Sequence, residues 1–244
     1  MGDLTVKKAL LSATGTVLIV IAVCLLWKHE VVEEMRLKVA VARNDVEALA
    51  GLLLNARSSK IRVLAYNALR RESNQPEVSD ILVDALLKPD PKLLPCQTMI
   101  LSDAPGFEYV GRRFLYTLLL FTRLGHESCL VDKSTEAVEA CARTSFCRLT
   151  GMPDQPPPSN QRLESWWKKN APYIRWSAKK RRFIVDENAK RTKIAIDSHT
   201  GLPLTAAEWD RRQCEFAGLQ QMFKKFAAWW QRYRKAVRNR DQKP

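Results

Sequence analysis

The chain is short of the side chains that enzymes use to move protons or hold metals: 244 residues include three histidines, six cysteines and nine glycines. His29, His126 and His199 lie far apart, so no His-x-x-x-His pair can set two imidazoles on one helical face. No Cys-x-x-Cys is present, which excludes the common zinc and dithiol motifs. No Walker-type glycine loop and no dinucleotide fingerprint is present either, so no segment is patterned to cradle phosphates. His126-Glu127-Ser128-Cys129 puts a base near a nucleophile, but dyads form between residues distant in the chain, and this stretch reads as a surface loop. These absences argue against chemistry by this chain. No catalytic residue, cofactor or metal ligand is expected.

Charge is missing from one stretch in particular. Residues 9–27 carry none, with Val17, Leu18, Ile19, Val20 and Ile21 at their centre. As a helix this run is roughly 28 Å long, close to the hydrocarbon thickness of a bilayer. Lys7 and Lys8 precede it; Trp27, Lys28 and His29 follow, an aromatic ring and charges suited to the interface. The pattern predicts an uncleaved single-pass anchor within residues 1–30. A secretory signal has a shorter apolar core, of about 7–15 residues, and a small-x-small cleavage site that Leu25-Leu26-Trp27 does not supply. The signal-like start favours a main domain outside the membrane. Five cysteines beyond the apolar run, an odd number, favour a reducing compartment instead.

Acidic residues thin out toward the end. Residues 1–160 hold 19 Lys/Arg against 18 Asp/Glu, whereas residues 161–244 hold 21 against 8, so nearly all of the net +14 lies in the last third. The break falls in a proline-rich linker, 152–162, whose Pro153–Asn160 stretch cannot be helical. Before it, residues 31–151 read as short amphipathic helices. Val46, Leu49, Ala50, Leu53 and Leu54 recur at the helical period; Ile61, Leu64, Ala65, Ala68 and Leu69 repeat it, and Val78, Ile81, Leu82, Ala85 and Leu86 repeat it again. Short connections would pair these helices antiparallel, each burying its stripe on the next. A longer, deeply buried helix is expected from about Phe107 to Leu124, ended by Gly125, and a last body helix ends at Gly151.

The ending of this body resembles that of bacterial HEAT-repeat proteins common in planctomycetes. The residues concerned are Leu149-Thr150-Gly151, a short linker, and then Trp166-Trp167-Lys168-Lys169-Asn170. The segment Ile61–Arg71, with Arg62, Ala65, Ala68 and Leu69, is similar to the second helix of a HEAT unit. The resemblance covers roughly residues 40–186, rests on short motifs, and is poor between Pro89 and Gly106. It implies an α-solenoid that binds other macromolecules and catalyses nothing. With the apolar start, it implies a protein of the bacterial plasma (inner) membrane.

Two further elements are legible. Tyr173–Trp176 and Arg182–Asp186 alternate around a basic tip containing Lys179, Lys180 and Arg181, which suggests a β-hairpin within residues 163–204. From Thr205 to the end a long helix carries Trp209, Phe216, Leu219, Phe223, Phe226, Trp230, Tyr233 and Val237 in heptad-type spacing. Lys224, Lys225 and Arg232 stand among its outward basic positions. The expected fold class is thus mainly α: a transmembrane helix, a short HEAT-like solenoid, a small β-hairpin and a long basic amphipathic helix. Trp209, Phe216, Phe223, Phe226, Trp230 and Tyr233 are the expected partner-binding face. The function this suggests is a membrane-anchored adaptor or accessory subunit that holds other protein subunits, with anionic lipid a further partner of the last helix. The alternative is a membrane-tethered nucleic-acid binder using the basic C-terminal region. One continuous basic groove through the hairpin tip and last helix would favour nucleic acid; charge spread around a buried aromatic seam would favour the adaptor.

Overall fold

The computed structural model describes residues 29–242. The chain is mainly helical with one two-stranded sheet. Helix α1 covers residues 29–43, followed by α2 (Val46–Asn55), α3 (Ser59–Arg71), α4 (Pro76–Leu87) and α5 (Leu94–Asp103). Then come α6 (Arg112–Phe121), α7 (Leu124–Ser128), α8 (Lys133–Thr150) and α9 (Asn160–Asn170). Strands β1 (Ile174–Ser177) and β2 (Arg182–Val185), helix α10 (Glu187–Thr192) and helix α11 (Ala206–Asp241) complete the order.

Local chemistry sets the helix ends. Asp45 caps α2 by accepting from the Ala48 amide at 2.9 Å, and three residues later the chain turns back into α3, as in a helical hairpin. The Glu33 carboxylate of α1 accepts from the amides of Arg57 and Ser58, so α1 closes the connection between α2 and α3. Gln97 of α5 donates from its amide nitrogen to the carbonyls of Ala85, Leu86 and Lys88, satisfying the C-terminal end of α4. Gly151 ends α8 in the left-handed region, φ 70°, where a glycine carries no Cβ penalty.

Helix α6 lies at the centre, packed against α4, α8 and α11. Its Phe114, Leu115, Leu118, Leu119, Leu120 and Phe121 are 0–3% exposed. One hydrophobic core runs continuously from Leu37 in α1 to Trp230 in α11, and Leu163 and Trp167 of α9 belong to it. The proline-rich stretch therefore separates charge but not packing. The hairpin pairs Trp176 with Phe183 and docks by the Trp176 indole, which donates to the Glu108 carbonyl at 2.6 Å.

Several expectations are corrected. Among the described residues no helix is long and apolar enough to cross a membrane. The physical reason differs by helix. α11 has the length, 36 residues, but carries nine Lys/Arg and four Asp/Glu; α6 is apolar but only ten residues long. Residues 9–27, with Val17, Leu18, Ile19, Val20, Ile21 and Trp27, lie outside the described residues. The expected fold class with its transmembrane helix, and the membrane location drawn from it, are accordingly not retained. Within the body, the expected helix from Phe107 to Leu124 is replaced by extended chain up to Gly111, then α6, a turn at Thr122-Arg123, and the short α7 that contains Gly125. The stripe of α3 is also rotated. Ile61, Arg62, Ala65, Tyr66 and Leu69 face the core and Leu64 is 40% exposed. Arg62 and Tyr66 claim the inner face because each finds a carboxylate there, Asp90 at 2.9 Å and Asp103 at 3.1 Å.

Candidate functional site

The capping box of Thr205 and Glu208 starts α11, and its aromatic seam then runs along α6 and α7. The seam is not one surface. Its C-terminal half is core: Phe223 and Phe226 are 0% and 1% exposed and pack against Phe121 at 5.3 and 5.2 Å. Trp230 is buried as well, and its indole donates to the Thr135 hydroxyl at 3.0 Å. Tyr233 is half-buried, stacked on Trp229 at 5.4 Å. Of the residues expected to meet a partner, Phe223, Phe226 and Trp230 are covered by this chain's own body.

The N-terminal half is different. Trp209 and Phe216 line a groove of about 580 Å³ between α6, α9 and α11, together with Tyr116 and Trp167. Tyr116 lies 5.2 Å from Trp167 and 5.1 Å from Phe216, and Trp167 lies 5.4 Å from Phe216, so the floor is a continuous aromatic cluster. Burial pushes the Tyr116 phenol up from its ordinary pKa, which keeps it a neutral hydrogen-bonding group. Exposed Lys168 and Gln213 stand at the rim. At one end Arg123 pairs with Glu164 at 2.8 Å and Glu127 at 3.6 Å, tying α9 to α7. An aromatic floor with a few polar rim groups is suited to holding an apolar side chain or peptide segment.

A smaller cleft of about 260 Å³ lies on the other side of Phe216. Asp80, Tyr109, Arg112, Arg113, His199 and Arg212 line it. Burial raises the Asp80 carboxyl despite Arg113 at 3.1 Å, and burial raises the Tyr109 phenol. Burial also lowers the Arg112 guanidinium to about 10. Burial works on Asp197 too, but the Thr200 and His199 amides and Arg212 outweigh it and hold that carboxyl below its usual value. Arg112 donates to the carbonyls of Ile174 and Ile196 and lies over the Trp209 ring at 5.2 Å. Its role is a clasp between α6, the hairpin and the start of α11. A third hollow, of about 660 Å³, lies between α1 and α2, with Val32, Met35 and Val39 on one wall.

The expected basic residues are exposed but fall into two groups. Lys179, Lys180 and Arg181 sit at the hairpin tip, whose strand β2 packs on α8 near its C-terminal Gly151. The cationic end of α11, beyond Lys224, Lys225 and Arg232, is gripped at the other end of α8, where Asp132 pairs with Arg234 at 3.2 Å and Arg238 at 3.6 Å. Eighteen residues of α8 separate the two grips, about 27 Å of helix. Among the described residues no group of three or more His, Cys, Asp or Glu could hold a metal.

Compared with known proteins, the chain matches no family model, no curated protein and no solved structure. Sequence reasoning reached Trp209 and Phe216 but missed the role of Tyr116 and Trp167. The Trp166-Trp167 pair was the available signal: both indoles pack on the core, Trp166 against Phe146 and Trp167 against Tyr116 and Phe216.

Proposed function

We propose that this chain is a non-enzymatic adaptor or accessory subunit that holds a partner protein in the groove between α6, α9 and α11. The observation that carries this reading is the hollow beside the N-terminal half of the seam: Phe223, Phe226 and Trp230 are used up in folding, while half-buried Trp209 and the rims of Phe216 and Trp167, 8% and 7% exposed, line an aromatic groove. Buried aromatic anchors inside a polar rim are where binding energy concentrates in protein interfaces. The nucleic-acid reading is the weaker one, because the basic tip and the basic end of α11 sit at opposite ends of α8 rather than along one track.

The test is a photo-crosslinking amino acid placed at Gln213, at the groove rim, and in parallel at exposed Leu64, in full-length protein expressed in its own host. A discrete protein adduct from position 213 that is absent from position 64 and lost on Trp167→Ala is the expected result. Equal labelling from both positions, or adducts with nucleic acid alone, would overturn the adaptor reading. A circular dichroism melt of Trp167→Ala separates loss of the groove from loss of the fold.

A further inference from the structure

We propose that the outer edge of α11, from Met222 to Arg240, docks an acidic amphipathic helix of a partner protein. This rests on the adaptor reading and adds to it a second contact surface and the chemistry of what fits there.

The charge pattern comes first. Between Glu215 and Asp241 the helix carries seven cations and no acid: Lys224, Lys225, Arg232, Arg234, Lys235, Arg238 and Arg240. Asp132 accounts for Arg234 and Arg238. The other five form no ion pair among the described residues, and all five are exposed. At about 100° per residue they fall within one arc on the side of the helix away from Phe223, Phe226 and Trp230. The surplus cations therefore face outward together, over a rod of roughly 25 Å.

A plain solvated face would need nothing more than the charges, and this edge has more. Met222 is 40% exposed, and Trp229 and Tyr233 are half-buried, stacked on one another at an interplanar angle of 14°. Ala236 is exposed beside them. Met222, Trp229, Tyr233 and Ala236 are spaced 7, 4 and 3, the repeat by which one helix reads another, with Lys225 and Arg232 along one side of the line and buried Phe226 and Trp230 on the other. α11 thus carries two seams, one spent on the body and a narrower one left on its outer edge. A small residue at 236 between aromatic and cationic neighbours leaves room for an approaching helix. The complement is a helix with apolar residues at heptad spacing and Asp or Glu on the flank that meets Lys225 and Arg232. A phosphate backbone would be met by the cations but would leave the heptad line unused, and the edge is a convex ridge rather than a channel.

The experiment uses the full chain and a synthetic four-heptad helix with Leu at its a and d positions and Glu at its e and g positions, followed by fluorescence anisotropy. Three other probes run beside it: the same helix with Gln for Glu, the same helix with Lys for Glu, and a single-stranded RNA of twenty nucleotides. The acidic helix is expected to bind at least tenfold more tightly than the Gln helix, and more weakly as salt is raised. The double variant Lys225→Glu/Arg232→Glu, at two exposed positions, is expected to lose at least tenfold for the acidic helix and to gain for the Lys helix. That exchange of preference is something a folding defect cannot produce. Equal binding of the acidic and Gln helices, no change in the double variant, or tighter binding of the RNA than of any helix would each overturn the proposal. Crosslinking from Gln213 is read separately, so the groove can succeed where this edge fails, and the reverse.

Discussion

Asp132 does three jobs with one carboxylate. It caps α8 by accepting from the Thr135 amide and hydroxyl, and it holds Arg234 and Arg238 of α11. Burial works against its ionised form, but the Thr135 bonds and Arg234 outweigh it, so the carboxyl titrates below its ordinary value. A carboxyl whose folded pKa is depressed adds stability above its unfolded pKa, about 3.9, and that part is lost as pH falls through the lower folded value. Asp132→Asn keeps a competent helix cap but has no charge to titrate. Chemical denaturation across pH 3–7 is expected to show the wild type the more stable at neutral pH, with the gap closing below about pH 4. A gap independent of pH would mean that the ion pairs with α11 contribute nothing. At the same scale, Leu64 and Leu69 differ by environment and not by chemistry. Leu69→Ala is expected to cost about 2–5 kcal/mol, as a fully buried leucine does, and Leu64→Ala, at 40% exposure, less than about 1 kcal/mol. Urea midpoints of the two variants check this.

Among the elements, α11 and the hairpin were legible because their patterns are dense: eight seam residues in one register, and alternation on both sides of a basic turn. The rotation of α3 was not. A period-counting reading assigns Arg62 and Tyr66 to the outside because they are polar, and only the third dimension brings Asp90 and Asp103 to meet them. The groove was hidden for a related reason, since Tyr116, Trp167 and Trp209 come from three helices whose approach no local pattern encodes. α11 also shows how a polar atom fixes an aromatic seam. Trp230→Phe removes the indole bond to Thr135 and is expected to cost about 1 kcal/mol, whereas Trp230→Ala, which also empties the site, is expected to cost about 3–5 kcal/mol. Thermal melts of the two variants should separate packing from hydrogen bonding. Similar losses in both would put the whole effect on the bond.

At the scale of the molecule the composition is misleading in an instructive way. The near-neutral body and the basic last third look like two domains joined by prolines, yet a single core links Leu37 to Trp230. Removal of residues 205–244 would bare Phe121 and the aromatic floor around Tyr116, so the truncated chain is expected to lose its cooperative melt rather than yield a stable shorter domain. A sharp transition in that truncation would show that α11 is an appendage.

Helix α8, gripped by α11 at one end and overlain by the hairpin at the other, has a consequence for partners. It sets the reach of anything that would hold the hairpin tip and the Arg234–Arg238 end of α11 at once. Two acidic segments on one polypeptide would need to be separated by at least about eight extended residues to bridge roughly 27 Å. With that spacing satisfied, each weak contact raises the effective concentration of the other, and the pair binds with an avidity that neither segment has alone. With a shorter tether, the same two segments compete as separate ligands, and α8 acts as a ruler that selects partners by length.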